Sequence, residues 1–397
     1  MKSSHITQPQ FAMIWFGAAL SVAEIMTGTS LSPLGFLEGI YAILLGHIIG
    51  GTLLFGAGYI GAQLKKSSME TTSYSFGVLG SKWFALLNII QLFGWTSIMI
   101  YDSTLTLEVL SPHSPEFWSI GIGSLIIFWL FIGLRNKGYI QVITSILLIG
   151  LTIYISQFIT LHWQQISHAP NTHSIDFINA LELSIAMPLS WLPLISDYTS
   201  QCKKPFMTSL ISSTSYTLTS TIMYILGICL GIFNNSETFT ELLKSMNFGV
   251  ISLLIIILST VTTTFMDAYS AGVSSKTLYH KLPHTIIAII VTILSTVAAL
   301  LYPMDNITNF LYLIGSVFTP MISILLVDFF ICRKPAIKKT AIIIRFLIWL
   351  ISVCFYHYML YINFRLGATL PTFSISLILT VIVHYASMLN HYRKSYL

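Results

Sequence analysis

Charge is what this sequence has least of. Asp, Glu, Lys and Arg make up 8% of its 397 residues, while 55% are hydrophobic and the mean hydropathy is +0.80. Soluble domains carry charge on roughly a quarter of their residues, so a water-facing surface is excluded for most of this chain. Its length would suit two or three soluble domains, yet apolar segments run nearly end to end and leave no stretch for a separate aqueous one. The 19 Lys and Arg against 14 Asp and Glu give a net charge of +5. They come in ones and twos between apolar runs, which excludes a phosphate-tracking face and nucleic acid as a partner. Cysteine is scarce too: Cys202, Cys229, Cys332 and Cys354 are far apart with no CxxC, so neither a disulfide nor a zinc framework is expected. No HExxH and no glycine-rich phosphate loop occurs, and His280 and His284 lack an acidic neighbour at metal-ligand spacing. ATP-driven transport by this chain alone and a resident cofactor are therefore not expected. The first apolar run starts near Phe11 and outlasts a signal-peptide core with no small-residue cleavage site after it, which predicts a retained helix.

Crossing the hydrocarbon core takes about 20 apolar residues. Twelve such spans fit, giving an all-α membrane protein: 11–32, 36–62, 82–106, 116–134, 139–162, 177–199, 207–233, 248–272, 285–303, 307–331, 340–361 and 368–388. Seventeen of the 19 basic residues then fall on one side, from Lys2, Lys65 and Lys66 through Lys203 and Lys204 to Arg333, Arg345 and Lys394; only Lys244 and Arg365 fall on the other. That asymmetry predicts a multi-pass protein of the cell membrane with both termini cytoplasmic. The polar stretch 63–80, containing Met69–Gly77, is too polar to span and reads as a short interfacial or re-entrant helix.

Ionisable groups inside spans are costly, so they mark function or pairing. Glu24 lies mid-span among Ser21, Thr27, Gly28, Thr29 and Ser30, ahead of Pro33. This composition suits a helix broken over a cavity, with structural pairing to another helix as the alternative. In span six, Met187-Pro188-Leu189-Ser190-Trp191-Leu192-Pro193 carries two prolines and predicts local unwinding, or a simple kink. Breaks in spans one and six, five apart, point to an inverted-repeat transporter with a midplane site.

Span eight carries Thr260, Thr263, Thr264 and Asp267 at three- and four-residue spacing, a polar stripe on an apolar helix. Hydroxyl and carbonyl oxygens suit a hard cation such as Na⁺, although threonines also bond their own helix and pack between helices. In span three, Gln91, Trp95 and Met99 recur every four residues, setting an amide, an aromatic face and a thioether on one side, where a planar ring can stack or ordinary packing can occur. Gly46, Gly50 and Gly51 form a small-residue surface for close helix contact.

Tyr59-Ile60-Gly61-Ala62, Ser75–Ser81, Asp197-Tyr198-Thr199 and Phe318-Thr319-Pro320-Met321 through Asp328-Phe329-Phe330 resemble the nucleobase:cation symporter-1 family over nearly the whole chain. Within it, Ile14–Ala19, Ala23–Thr29, Gly94-Trp95-Thr96 and Trp191–Thr199 are most similar to the hydroxymethylpyrimidine transporter branch, a neighbour of cytosine permeases. The resemblance implies a LeuT-like five-plus-five inverted repeat, 11–162 and 177–331, with two added helices over 340–388. It implies that an aromatic base lies against Trp95, that the relatives' span-eight amide falls on Asp267, and that their sodium hydroxyls fall on Thr263 and Thr264. Carbonyls near Phe16 and Ala19 would complete the ion site. The relatives' second aromatic wall falls near Pro188, where this sequence departs; Trp191 replaces it, or the base is held from one side.

The expected function is secondary active import of a pyrimidine-type heterocycle across the lipid bilayer by alternating access, with hydroxymethylpyrimidine, a thiamine precursor, as substrate. A cytosine or other nucleobase permease is the alternative. The expected substrate-binding set is Glu24, Gln91, Trp95, Met99, Met187, Pro188, Ser190, Trp191 and Asp267. The expected Na⁺ set is Phe16, Ala19, Thr260, Thr263 and Thr264. An aminopyrimidine offers an amine donor and ring nitrogens that pair with carboxyl groups, so Glu24 and Asp267 fit it better than a uracil or hydantoin. Two carboxyls on one cavity also permit proton coupling. An enzyme using them as acid and base would want a nucleophile or metal beside them, and none is visible; a channel or sensor would share the fold without coupled accumulation.

Overall fold

A computed structural model describes residues 6–110, 113–133, 175–233, 249–304, 306–333 and 338–395, with parts of 146–169 and 335–336. The described helices are α1 Gln8–Ala19, α2 Val22–Thr29, α3 Phe36–Leu64, α4 Ser68–Thr71, α5 Ser73–Leu110, α6 Pro115–Gly133, α7 Trp163–Ser167, α8 Phe177–Ser190 and α9 Leu192–Thr199. They continue as α10 Pro205–Phe233, α11 Gly249–Leu278, α12 His284–Leu301, α13 Ile307–Leu326, α14 Lys339–Tyr361 and α15 Thr369–Ser395. Among the described residues, nine helical segments are long and apolar enough to cross a membrane, and the bent pair α1–α2 makes ten. The 30 residues of α11 add a helix about 45 Å long at 1.5 Å per residue. Of the expected spans only 139–162 lacks a continuous counterpart here, because half of it lies outside the described residues.

The polar stretch 63–80 folds as α4 and the first turns of α5. That helix begins at Ser73, ahead of the expected 82, and runs through Gly77, whose φ of +65° suits glycine and kinks the helix. Two packing groups surround the centre. One joins α1, α2, α3, α8 and α10; the other joins α5, α6, α11 and α12, with α13 packed mainly on α8, α14 on α5, and α15 on α13 and α14. The small residues set the spacing of the first group. A Cβ on Gly46 would run into Ser184 and Ile185 of α8, one on Gly28 into the Tyr224 backbone of α10, and one on Gly227 into the Ile25 carbonyl of α2.

The outside is greasy where a soluble protein would be polar. On α12, Ile286, Ile290, Ile293, Leu294 and Val297 are exposed at helical spacing, while Ala288, Thr292 and Ser295 face inward. An apolar belt with small and hydroxyl residues inside is the pattern lipid requires. At one end, Lys65 Nζ donates to the Cys202 carbonyl at 2.5 Å and the Ala336 N–H donates to the Tyr74 carbonyl at 2.8 Å, so several of the basic loops meet there.

Arg345 does not belong with those loops. It lies buried in α14, where Nη2 and Nε reach the two oxygens of Asp328 at 2.8 and 3.2 Å. Asp328 sits on the π-helical turn Val327–Cys332 that ends α13, so the ion pair ties α14 to the end of α13. Removing one partner strands a buried charge. Arg345→Ala is expected to cost about 3–5 kcal/mol of stability, and Asp328→Leu/Arg345→Met much less; thermal unfolding of both variants in detergent checks the difference.

Candidate functional site

The first break is sharp. α1 stops at Ala19, Leu20 leaves helical geometry at ψ 72°, and α2 restarts behind Ser21, bent by 49°. Ser21 caps α2 by accepting the Glu24 N–H at 3.3 Å. The freed Leu20 carbonyl accepts the Ser259 hydroxyl of α11 at 2.6 Å. Ser259, Thr263 and Asp267 are four apart, so the helix that closes the break also presents Thr263 and Asp267 next along the same face.

The second break is milder than the unwinding expected from two prolines. Trp191 alone separates α8 from α9 and keeps right-handed helical angles, φ −91° and ψ −8°. Pro193 falls in the first turn of α9, where a missing N–H costs little. Carbonyls on both sides of Trp191 take side-chain donors: Ser190 Oγ donates to Met187 O at 2.7 Å, and Asn88 Nδ2 donates to Pro193 O at 3.2 Å.

Between the breaks lies a cavity of about 20 Å³, space for a water-sized body and too little for an aromatic ring. In this conformation the walls stand too close together to admit a ring. Ser21, Ala23 and Glu24 line it from α2 and its cap; Trp95 and Met99 from α5; Met187, Ser190 and Trp191 from the second break; Thr263 and Asp267 from α11. The α5 and α11 walls are pinned at both ends, by Asn88 Nδ2 donating to Ser274 Oγ at 2.8 Å and by the Ser103–Thr260 hydroxyl pair. Phe310 meets Trp95 edge-on, with ring centroids 5.4 Å apart, and fixes the indole plane.

Six of the expected residues stand elsewhere. Thr260 turns to Ser103, so its hydroxyl is engaged in the helix-pinning pair, away from the cavity lining. Pro188 packs toward Gly50 of α3, behind the cavity wall, which leaves Trp191 as the aromatic residue of this break in the cavity. Gln91 lies one layer out, donating to Asn88 Oδ1 at 2.9 Å, with its own Oε1 buried and unpartnered. Phe16 packs its ring against the core. Ala19 ends α1 with its carbonyl accepting the Ser21 N–H at 3.0 Å. Thr264 is buried outside the lining. The hydroxyls of Thr263 and Thr264 are both buried with no hydrogen-bond partner among the described residues, which is the condition of oxygens free to take a hard cation.

The two carboxyls differ. Asp267, 4% exposed, has no hydrogen bond to its side chain among the described residues. Glu24, 1% exposed, is held by α10: Tyr216 Oη lies 2.6 Å from Oε1 and Ser220 Oγ 2.6 Å from Oε2. Behind Ser220 stands His47 of α3, its Nε2 at 2.7 Å. The sequence reading missed Ser21 and Ala23, though both adjoin the break it marked, and it missed Tyr216, Ser220 and His47. The only signal for His47 was an ionisable residue inside an apolar span. Toward the basic end, Trp15 sits between Trp191, Tyr198 and Tyr216 with centroids at 5.7, 5.8 and 6.1 Å, an aromatic plug beneath the cavity.

Among the described residues no group of three His, Cys, Asp or Glu is placed to hold a metal. Solved structures share this architecture. Mhp1, a nucleobase-cation-symport-1 family transporter, in a closed conformation with bromovinylhydantoin bound, superposes with TM-score 0.74 at 17% identity, covering 96% of this chain and 91% of that one. Inward-facing Mhp1 gives 0.75 at 15% identity over 99% and 94%. A substrate-bound, outward-open Na⁺-coupled sialic acid symporter gives 0.70 at 16% identity over 95% and 88%. These likenesses show the all-α, LeuT-like fold expected from the sequence. A search of curated protein sequences finds no match. The model of one family, described as permease for cytosine/purines, uracil, thiamine, allantoin, matches residues 4–389. That span is nearly the whole chain, and the chain belongs to this family: it is a membrane transporter, not an enzyme.

Proposed function

We propose that the protein is a Na⁺-coupled importer of an amino-substituted pyrimidine, with hydroxymethylpyrimidine the favoured substrate and cytosine the second candidate. The observation that carries this reading is the pairing, across one cavity, of an oriented indole face at Trp95 with the unengaged carboxyl of Asp267. The ring stacks on Trp95, and Asp267 accepts from the exocyclic amine. Glu24, already bonded to two hydroxyls, stands behind as a secondary contact. Na⁺ sits between the unpartnered hydroxyls of Thr263 and Thr264 and the carbonyl end of α1 near Ala19.

Alternating access follows from the two packing groups. The bundle of α1, α2, α3, α8 and α10 rocks against the group pinned along α5 and α11, and the Trp15 plug parts to open the cavity toward the cytoplasm. The excess of Lys and Arg in the loops at the plug end supports assigning that end, and both termini, to the cytoplasmic face of the cell membrane.

Reconstituted protein tests the reading with labelled hydroxymethylpyrimidine, cytosine and uracil, with and without a sodium gradient. Accumulation of an aminopyrimidine driven by sodium is expected; none, or equal uptake of uracil, sinks it. Trp95→Ala should weaken binding by about 1–3 kcal/mol, the magnitude of base–aromatic stacking. Unchanged affinity in a folded variant removes the stacking role. Asp267→Asn should cost an aminopyrimidine about tenfold or more while sparing uracil, because it exchanges a charge-assisted bond for a neutral one. Loss shared equally by both ligands would make Asp267 structural. Thr263→Val and Thr264→Val keep volume and delete an oxygen, so half-maximal sodium stimulation should move to higher concentration. Sodium dependence identical to wild type in both would place the ion elsewhere.

A further inference from the structure

Hydrogen-bond arithmetic behind Glu24 points to a second ligand, a proton. Three contacts run in series: Glu24 Oε2 to Ser220 Oγ at 2.6 Å, Ser220 Oγ to His47 Nε2 at 2.7 Å, and His47 Nδ1 to the Ile43 carbonyl at 2.9 Å. Each needs one hydrogen. The Ile43 carbonyl only accepts, so the third hydrogen must be on Nδ1; a bare Nδ1 would set its lone pair against that oxygen. Ser220 has a single hydroxyl hydrogen and fills one of the other two gaps. If it donates to Glu24, His47 must also donate through Nε2 and is an imidazolium. If it donates to His47, Glu24 must donate to Ser220 and is a carboxylic acid. Either way the chain carries one hydrogen more than an ionised glutamate, a serine and a neutral histidine supply.

We propose that Glu24, Ser220 and His47 form a proton-binding site that holds one exchangeable proton against the cavity wall. The two forms interconvert with balanced bookkeeping: the Glu24 Oε2–H passes to Ser220 Oγ as the Ser220 hydrogen passes to His47 Nε2. The titratable groups facing the site are Tyr216, whose hydroxyl donates to Glu24 Oε1, Tyr224, whose ring meets His47 edge-on at 4.7 Å, and Asp267 from the other cavity wall. All three helices that supply the site, α2, α3 and α10, belong to the bundle group, so the proton travels with the part that rocks. Its use in coupling rests on the cavity being the substrate site; its presence does not.

The test therefore reads protons on the purified full-length protein before any base is added. Infrared spectra report whether the Glu24 carboxyl is protonated, and nitrogen NMR of labelled imidazole reports how many His47 nitrogens carry hydrogen, from about pH 5 to about pH 8. Glu24→Gln and His47→Gln assign the signals, and Ser220→Ala, which cuts the link while keeping the Tyr216 contact, serves if either fails to fold. Near neutral pH the expected result is a protonated Glu24 with His47 protonated at Nδ1 alone, or an ionised Glu24 with both His47 nitrogens protonated. An ionised Glu24 beside a singly protonated His47 overturns the proposal. So does the same Glu24 signal in wild type and Ser220→Ala. In liposomes with equal sodium on both sides, an imposed pH gradient should drive hydroxymethylpyrimidine or cytosine uptake about tenfold better in wild type than in Ser220→Ala. Uptake indifferent to the gradient overturns the coupling role. If neither base is taken up, the substrate reading fails and the spectra still decide the proton site.

Discussion

A carbonyl left open in hydrocarbon costs several kcal/mol, and the structure turns on how the one at Leu20 is closed. A helix cannot break inside a membrane unless something else satisfies its backbone. Ser259 does this from α11, and in doing so fixes α11 in rotation as well as in height. Thr263 and Asp267 then have to face the break, because they stand one and two turns along the same face. The cavity, its acid and its free hydroxyls are thus consequences of one hydrogen bond between a broken helix and its neighbour. The bond also crosses from the bundle group to the group that holds α5, so it couples the break to the scaffold.

The spans were legible because hydropathy is a long, redundant signal, and a slip of a few residues at an end does not alter it. The breaks were legible through composition: Glu24 amid hydroxyls and glycine, and two prolines five residues apart. How far each break opens was not legible. Pro193 reads as a helix breaker in isolation, yet it lies at the start of α9, where no N–H is wanted, and only the position of Trp191 between two helices reveals that. The 63–80 segment gave a short helix by its polarity, but the kink at Gly77 that joins it to α5 needed the backbone.

Side-chain partners across helices were the least legible part. A stripe of threonines says that one face is polar and leaves open which neighbour each hydroxyl meets. Thr260 meets Ser103, 157 positions away, and is spent there, while Thr263 and Thr264 are left unpartnered. Glu24 and Asp267 both read from the sequence as carboxyls available to an aminopyrimidine. The difference between them is made by Tyr216 and Ser220 on α10, nearly 200 residues distant, and no local pattern encodes that. Pro188 and Trp191 were candidates for the same wall; helix rotation sends the first to Gly50 and the second to the cavity.

Transport coupling requires that occupancy of one site change the free energy of another, and the arrangement offers a short physical route for it. Thr263 and Asp267 are one turn apart on a single rigid helix, so an ion held at Thr263, as proposed, would restrict Asp267. Glu24 sits on α2, whose start is fixed by the same Ser21 cap that lines the cavity, and its carboxyl is tied to α3 through Ser220 and His47. A ligand drawn, as proposed, between Asp267 and Trp95 would touch the scaffold directly and the bundle through α2. The volume of about 20 Å³ means that any ring must push these walls apart to enter. Binding energy is then expressed as displacement of one helix group against the other, which is the motion that alternating access needs.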